Sequence, residues 1–198
     1  MSQNALAALC LYAFVTSITP GPSNLMLLAS GANFGLVRTL PQVLGITVGF
    51  TALLLAVGLG LGAALTAWPA LHAGLKVAGA AWLLYLAWRI GTARSIGRES
   101  EAAGRPLTFS QSAAFQWINP KAWVVAATTI GVYASPEAPF VSVLLIAAAF
   151  ALVNLPSILA WAGCGTALRG FLAHPARLKW FNIAMGTLLA ATLWPMLA

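Results

Sequence analysis

Lys121 is a cation inside an apolar stretch, placed directly after Asn119 and Pro120, and far upstream a second proline-broken stretch reads Thr19-Pro20-Gly21-Pro22-Ser23-Asn24. In hydrocarbon a freed backbone polar group costs several kcal/mol, so irregular chain at membrane depth survives only where it is buried in protein or lines a polar cavity. In the first stretch Pro20 and Pro22 remove two donors, Gly21 is expected to permit a sharp turn, and Ser23 or Asn24 to cap the half-helix that starts there. Unpaired N–H groups at that start, with the positive helix end, make an anion site that suits a carboxylate. In the second stretch Pro120 begins a half-helix, Asn119 is its natural cap, and Lys121 is expected to face the bundle interior or water. The blander alternatives are a simple kink at Pro20-Gly21-Pro22 and a Lys121 that snorkels to an interface. The candidate substrate-binding set is Pro20, Gly21, Pro22, Ser23, Asn24, Asn119, Pro120 and Lys121.

The three acids, Glu99, Glu101 and Glu137, all fall in predicted loops. A cationic solute would find no counter-charge at such a site, which points to a neutral, zwitterionic or anionic solute whose own carboxylate pairs with Lys121 and the half-helix ends. A coupling proton has no obvious carrier. Cys10 and Cys164 read as small buried hydrophobes. His72 and His174 sit at loop edges without a nearby acid or second histidine, so neither a metal site nor a hydrolase with nucleophile and base at midplane is expected, and no cofactor.

The elements that must hold these residues are membrane helices. The chain is 61% hydrophobic and 7% charged, against about 25% charged in soluble domains. Charge-free runs, each able to hold a span of roughly 17–25 residues, place six spans: Asn4 to Gly31 (interrupted), Leu40 to Thr66, His72 to Ile90, Phe109 to Tyr133 (interrupted), Phe140 to Gly165 and Lys179 to Met196. The first run lacks a basic n-region and continues through a proline motif, so it is not read as a cleavable signal. Eight of the 10 basic residues (Arg38, Arg89, Arg94, Arg98, Arg105, Arg169, Arg177, Lys179) fall on one side. The positive-inside rule makes that side cytoplasmic and leaves both termini outside. An odd number of spans per half makes the halves inverted repeats: repeat one about 1–91, a cytoplasmic loop about 92–108 and repeat two about 109–198, together one transmembrane domain.

The net charge of +7 is spread over short loops and explained by topology, so nucleic acid is not an expected partner; the lipid bilayer and its anionic head groups are. Trp68, Trp88, Trp117, Trp180 and Trp194 are read as interface anchors near span ends. The pairs Gly31/Gly35, Gly45/Gly49 and Gly58/Gly62 have the spacing that lets helices approach closely. Gly58, Gly60 and Gly62 are read as plain packing, Gly45 and Gly49 as support for a broken helix.

Thr19 to Asn24, the segment Leu44-Gly45-Ile46-Thr47-Val48-Gly49, the segment Gly79 to Trp88 and the break at Asn119-Pro120-Lys121 together resemble the lysine exporter superfamily, in its homoserine/threonine-resistance branch, over essentially the whole chain. That family more often has asparagine directly after Pro-Gly-Pro, where this chain has Ser23 and then Asn24. Trp82 to Arg89 and Pro106 to Gln116 look most like the cysteine/O-acetylserine exporter group. The resemblance implies an exporter of small amino acids or their derivatives in the bacterial inner membrane that uses the proton gradient. A channel-like permease and a structural membrane protein are the other classes, and a second copy of the chain as partner is left open.

Overall fold

The computed structural model describes residues 2–62, 67–94 and 105–194. Glu99, Glu101 and Arg98, the ends of the second and sixth expected spans, and the His72 side chain lie outside that description. Eight α-helices and no strand occur among the described residues: α1 Gln3–Ile18, α2 Pro22–Phe34, α3 Leu36–Ala56, α4 Pro69–Thr92, α5 Phe109–Gln116, α6 Pro120–Tyr133, α7 Pro139–Leu168 and α8 Pro175–Ala191.

Local sequence explains most boundaries. Proline stands in the first turn of α2, α4, α6, α7 and α8, where its missing N–H would be unpaired anyway. Thr108 starts α5 with a reciprocal capping box, its hydroxyl accepting from Gln111 N (3.2 Å) while Gln111 Oε1 accepts from Thr108 N (3.1 Å). Interior prolines do not always break a helix: Pro41 lies inside α3 and Pro156 inside α7. Beside Pro156, Ser157 Oγ donates to Val153 O at 2.8 Å.

α3, with the π-turn Val57–Leu61 that prolongs it, and α7 are long and apolar enough to cross a membrane. α1 and α2 reach that measure together as a third, bent by 56° at the Thr19–Gly21 break. The break in the first span is therefore where the proline motif puts it, and α3 starts four residues ahead of the expected Leu40.

α7 is the hub: α1, α2 and α3 all pack along it, α3 also packs along α5, and α4 pairs with α8. Glycines set these approaches. A Cβ on Gly31 would lie 2.1 Å from Ala162 O of α7, and one on Gly165 of α7 would lie 2.1 Å from Leu28 O of α2. Gly45 and Gly49 do support a broken helix, but the one in the other half: their Cβ atoms would strike Phe109 O at 2.3 Å and Ala113 O at 2.5 Å on α5. Of the three glycines read as packing, only Gly58 touches a neighbouring helix closely, at Val143. Gly60 has φ +107 with open space around it, so it serves the kink in the π-turn and not a contact.

The tryptophans divide similarly. Trp68, Trp88, Trp180 and Trp194 are largely exposed, as anchors are. Trp117 is instead the C-cap of α5 at the second break, half-buried, with its carbonyl accepting from Trp123 Nε1 at 2.8 Å.

Candidate functional site

The two breaks, remote in sequence, meet. α1 ends at Ile18 and α2 begins at Pro22; α5 ends at Gln116 and α6 begins at Pro120. Ser23 Oγ lies 3.3 Å from both Gln116 Nε2 and Asn119 Nδ2, and Lys121 Nζ donates to Thr19 O at 2.8 Å. Each break thus supplies partners for the other.

Ending α1 at Ile18, with α2 starting only at Pro22, strands its last carbonyls, which low-dielectric surroundings make costly. The carbonyls of Ser17, Ile18 and the C-cap Thr19 find side-chain donors. Asn24 Nδ2 reaches back to Ser17 O (2.7 Å) and Thr19 O (2.9 Å), Trp161 Nε1 of α7 donates to Ile18 O (3.1 Å), and Lys121 shares Thr19 O.

This changes several assigned roles. Neither Ser23 nor Asn24 caps α2: Gly21 is its N-cap, without a side-chain cap hydrogen bond, and both residues lie inside the first turn. Gly21 has φ −172, an extended conformation open to any residue, so no sharp turn requires it. Its role is space: a Cβ there would sit 2.8 Å from Lys121 Cδ and 3.1 Å from Nζ. Asn119 does cap its helix, with Oδ1 accepting from Lys121 N at 3.2 Å. Lys121 is half-buried and turned toward the first break.

The breaks open onto a cavity of about 60 Å3, at roughly 10–15 Å3 per water room for a few waters or a solute of similar heavy-atom count. Gly21, Ser23, Asn24, Asn119 and Lys121 line it, with Thr16, Ser17, Gln116 and Asn154. Its apolar wall includes Ile46, Phe50 and Phe150, the two rings 5.4 Å apart between α3 and α7. No acid lines it. Pro20, Pro22 and Pro120 face instead a larger apolar groove of about 830 Å3 bordered by α2, α6 and α8, which Lys121 and Gly21 also touch. The groove is larger, but the smaller cavity gathers the polar groups that could orient a solute, so it is the candidate site.

Gln116 and Asn154 were not among the residues singled out from sequence. Both are buried, and polar residues deep in apolar helices are the signal that would have found them. The role of Asn24 gives a direct test. Asn24→Leu strips donors from Ser17 O and Thr19 O and is expected to destabilise the protein by about 1–3 kcal/mol, read as a lower melting temperature in detergent; an unchanged melt would mean that these contacts hold nothing.

Two broken helices facing one cavity in an apolar helical bundle are the arrangement of secondary transporters. The chain belongs to the LysE type translocator family, whose pattern matches residues 14–194. It is 29% identical over 167 residues to the cysteine/O-acetylserine efflux protein of Escherichia coli strain K12, covering 83% of this chain and 84% of the relative. It is equally similar, by the same measures, to the protein of that name in Shigella sonnei strain Ss046. No solved structure matches the chain. The family is one of translocators and not of enzymes.

Proposed function

We propose that this protein exports small neutral amino acids or their derivatives, of the cysteine and O-acetylserine type, across the bacterial inner membrane. The observation that carries this reading is the convergence of both breaks on one small acid-free cavity, with Lys121 of the second reaching Thr19 of the first. The substrate carboxylate binds at the uncapped start of α2 beside the Lys121 ammonium. Its ammonium turns toward the negative end of α1 and the Asn154 amide, while Phe50 and Phe150 enclose a short side chain. Pro20, Pro22 and Pro120 act indirectly, by ending the helix ladders that would otherwise consume the N–H groups. The names of the E. coli and Shigella relatives supply the solute class.

The full arrangement proposed is six spans in two inverted repeats, 1–91 and 109–198, with both termini periplasmic and export driven by the proton gradient. Pairings that agree with such symmetry are α3 with α5 beside α7 with α1, and the self-related pairs α3 with α7 and α4 with α8. Alternating access is then a rocking of one repeat against the other around the fixed cavity.

Vesicles loaded with a panel of labelled amino acids, cysteine and O-acetylserine included, test the activity. Efflux against a gradient that collapses with a protonophore is expected; flux that never exceeds equilibration would replace the exporter with a channel. The Pro20→Ala, Pro22→Ala double variant should bind substrate at least tenfold more weakly while inserting normally, and wild-type affinity would reduce the break to a kink. For orientation, Gly170→Cys in a chain with Cys10 and Cys164 replaced should resist an impermeant thiol reagent in intact cells. Labelling there would invert the topology.

A further inference from the structure

A second cavity of about 60 Å3 lies along the same helix, α2, toward its far end. α2 presents Ser23 to the first cavity and Met26, Ser30 and Asn33 to the second. That i, i+3, i+7, i+10 spacing is one face of a helix. A buried apolar cluster stands between them: Met26, Leu86 and Leu107 line the second cavity and pack with Phe115, the neighbour of Gln116 on the wall of the first.

The second cavity holds the two kinds of group that a zwitterion requires. Arg89 and Arg105 line it, and the Arg89 guanidinium is held there by donating to Arg105 O. Gln42 of α3 also lines it; it is 1% exposed, and its Oε1 has no hydrogen-bond partner among the described residues. Leaving such an acceptor buried and unpaired is costly, so an unpartnered amide oxygen in a cavity wall signals a missing donor. The other uncharged polar side chains of that wall are already engaged. Ser30 pairs with Thr39 at 3.0 Å, and Asn33 and Asn182 exchange hydrogen bonds of 2.9 and 3.2 Å.

We propose that this cavity is a second amino-acid subsite, in which Arg89 and Arg105 take the carboxylate, Gln42 Oε1 accepts from the ammonium, and the Met26–Phe115 cluster separates it from the central site. The arginine forks match a carboxylate, and an ammonium supplies the donor that Gln42 lacks. The proposal rests on the transporter reading above. With Arg89 and Arg105 on the cytoplasmic side, the subsite is where solute enters before export, and movement of Met26 past Phe115 passes it inward.

Equilibrium binding of a panel of labelled neutral amino acids to the purified full chain in detergent tests this. Two molecules bound per chain are expected. Gln42→Leu should bind one, and Arg105→Gln should weaken the same site at least tenfold, while Gln42→Leu melts no lower than wild type because it removes an unpaired polar group. Lys121→Gln should lose the other site. A single site in the wild type, or two sites retained in both Gln42→Leu and Arg105→Gln, overturns the second subsite. Two sites retained in Lys121→Gln, with one lost in Gln42→Leu, overturns the central site alone, and no binding of any member overturns both.

Discussion

Replacing Lys121 by glutamine should cut transport by about 10- to 150-fold and leave the protein folded in the membrane. The figure corresponds to losing one charged hydrogen bond of about 1.5–3 kcal/mol. Lys121 Nζ donates to Thr19 O at 2.8 Å, so the side chain also has a structural task at the first break. Glutamine separates the two tasks, because its amide can still donate to a carbonyl but carries no charge. If capping Thr19 were the whole role, the variant would transport nearly normally, and the charge would be irrelevant to the solute. Lys121→Arg should recover only part of the activity, since a planar fork does not replace a point cation. Gly21→Ala should act in the same direction with little effect on melting. Its new Cβ would lie 2.8 Å from Lys121 Cδ and 3.1 Å from Nζ, and a flexible side chain moves aside at small cost while carrying its ammonium with it. Initial efflux rates, set beside melting temperatures of the same preparations, decide each case.

The largest stability effect is expected at the α2–α7 seam. Gly165→Val places a Cβ where Leu28 O would be 2.1 Å away and Ala32 N 2.9 Å away, and both are backbone atoms that cannot rotate aside. Gly31 faces the same seam from the other helix, with Ala162 O at 2.1 Å and Thr166 N at 3.1 Å. The helices must therefore separate, which forfeits close packing along α2, the helix that carries the first break. Overpacking typically costs about 1–3 kcal/mol, and a fixed backbone obstacle puts Gly165→Val at the upper end. Gly163→Ala on the same helix is the control, since nothing lies within 4 Å of its Cβ. A Gly165→Val protein that melts with the control would show that the seam is looser than described.

Proline marks a candidate break in sequence because its effect is local: it lacks an N–H and crowds the preceding turn, although Pro41 and Pro156 lie inside continuous helices. Pro22 and Pro120 could therefore be read as half-helix starts, and Asn119 as a cap, from neighbouring residues alone. Apolar composition is equally local in meaning, and it sufficed for an all-helical chain with a broken first span. The same composition predicts six spans, of which α3, α7 and the bent α1–α2 pair meet the length and hydropathy that a crossing requires.

Residue roles that depend on a distant partner were decided only by the tertiary structure. The partners Gln116 and Asn119 of Ser23, and Lys121 of Thr19, lie 93 to 102 positions away, and Trp161 reaches Ile18 across 143. Gly21 illustrates the difference. Sequence makes it a turn residue, because glycine beside proline ordinarily supplies backbone freedom; its backbone is extended, and what it supplies is room for a lysine from the other half of the chain. Asn24 likewise looks like a cap for the helix ahead and serves the carbonyls behind. The cavity itself, with Gln116, Asn154 and the Phe50–Phe150 wall, exists only where α1, α3, α5 and α7 converge. Chain-local chemistry determined where α2 and α6 start after their breaks, and long-range packing determined what those breaks face.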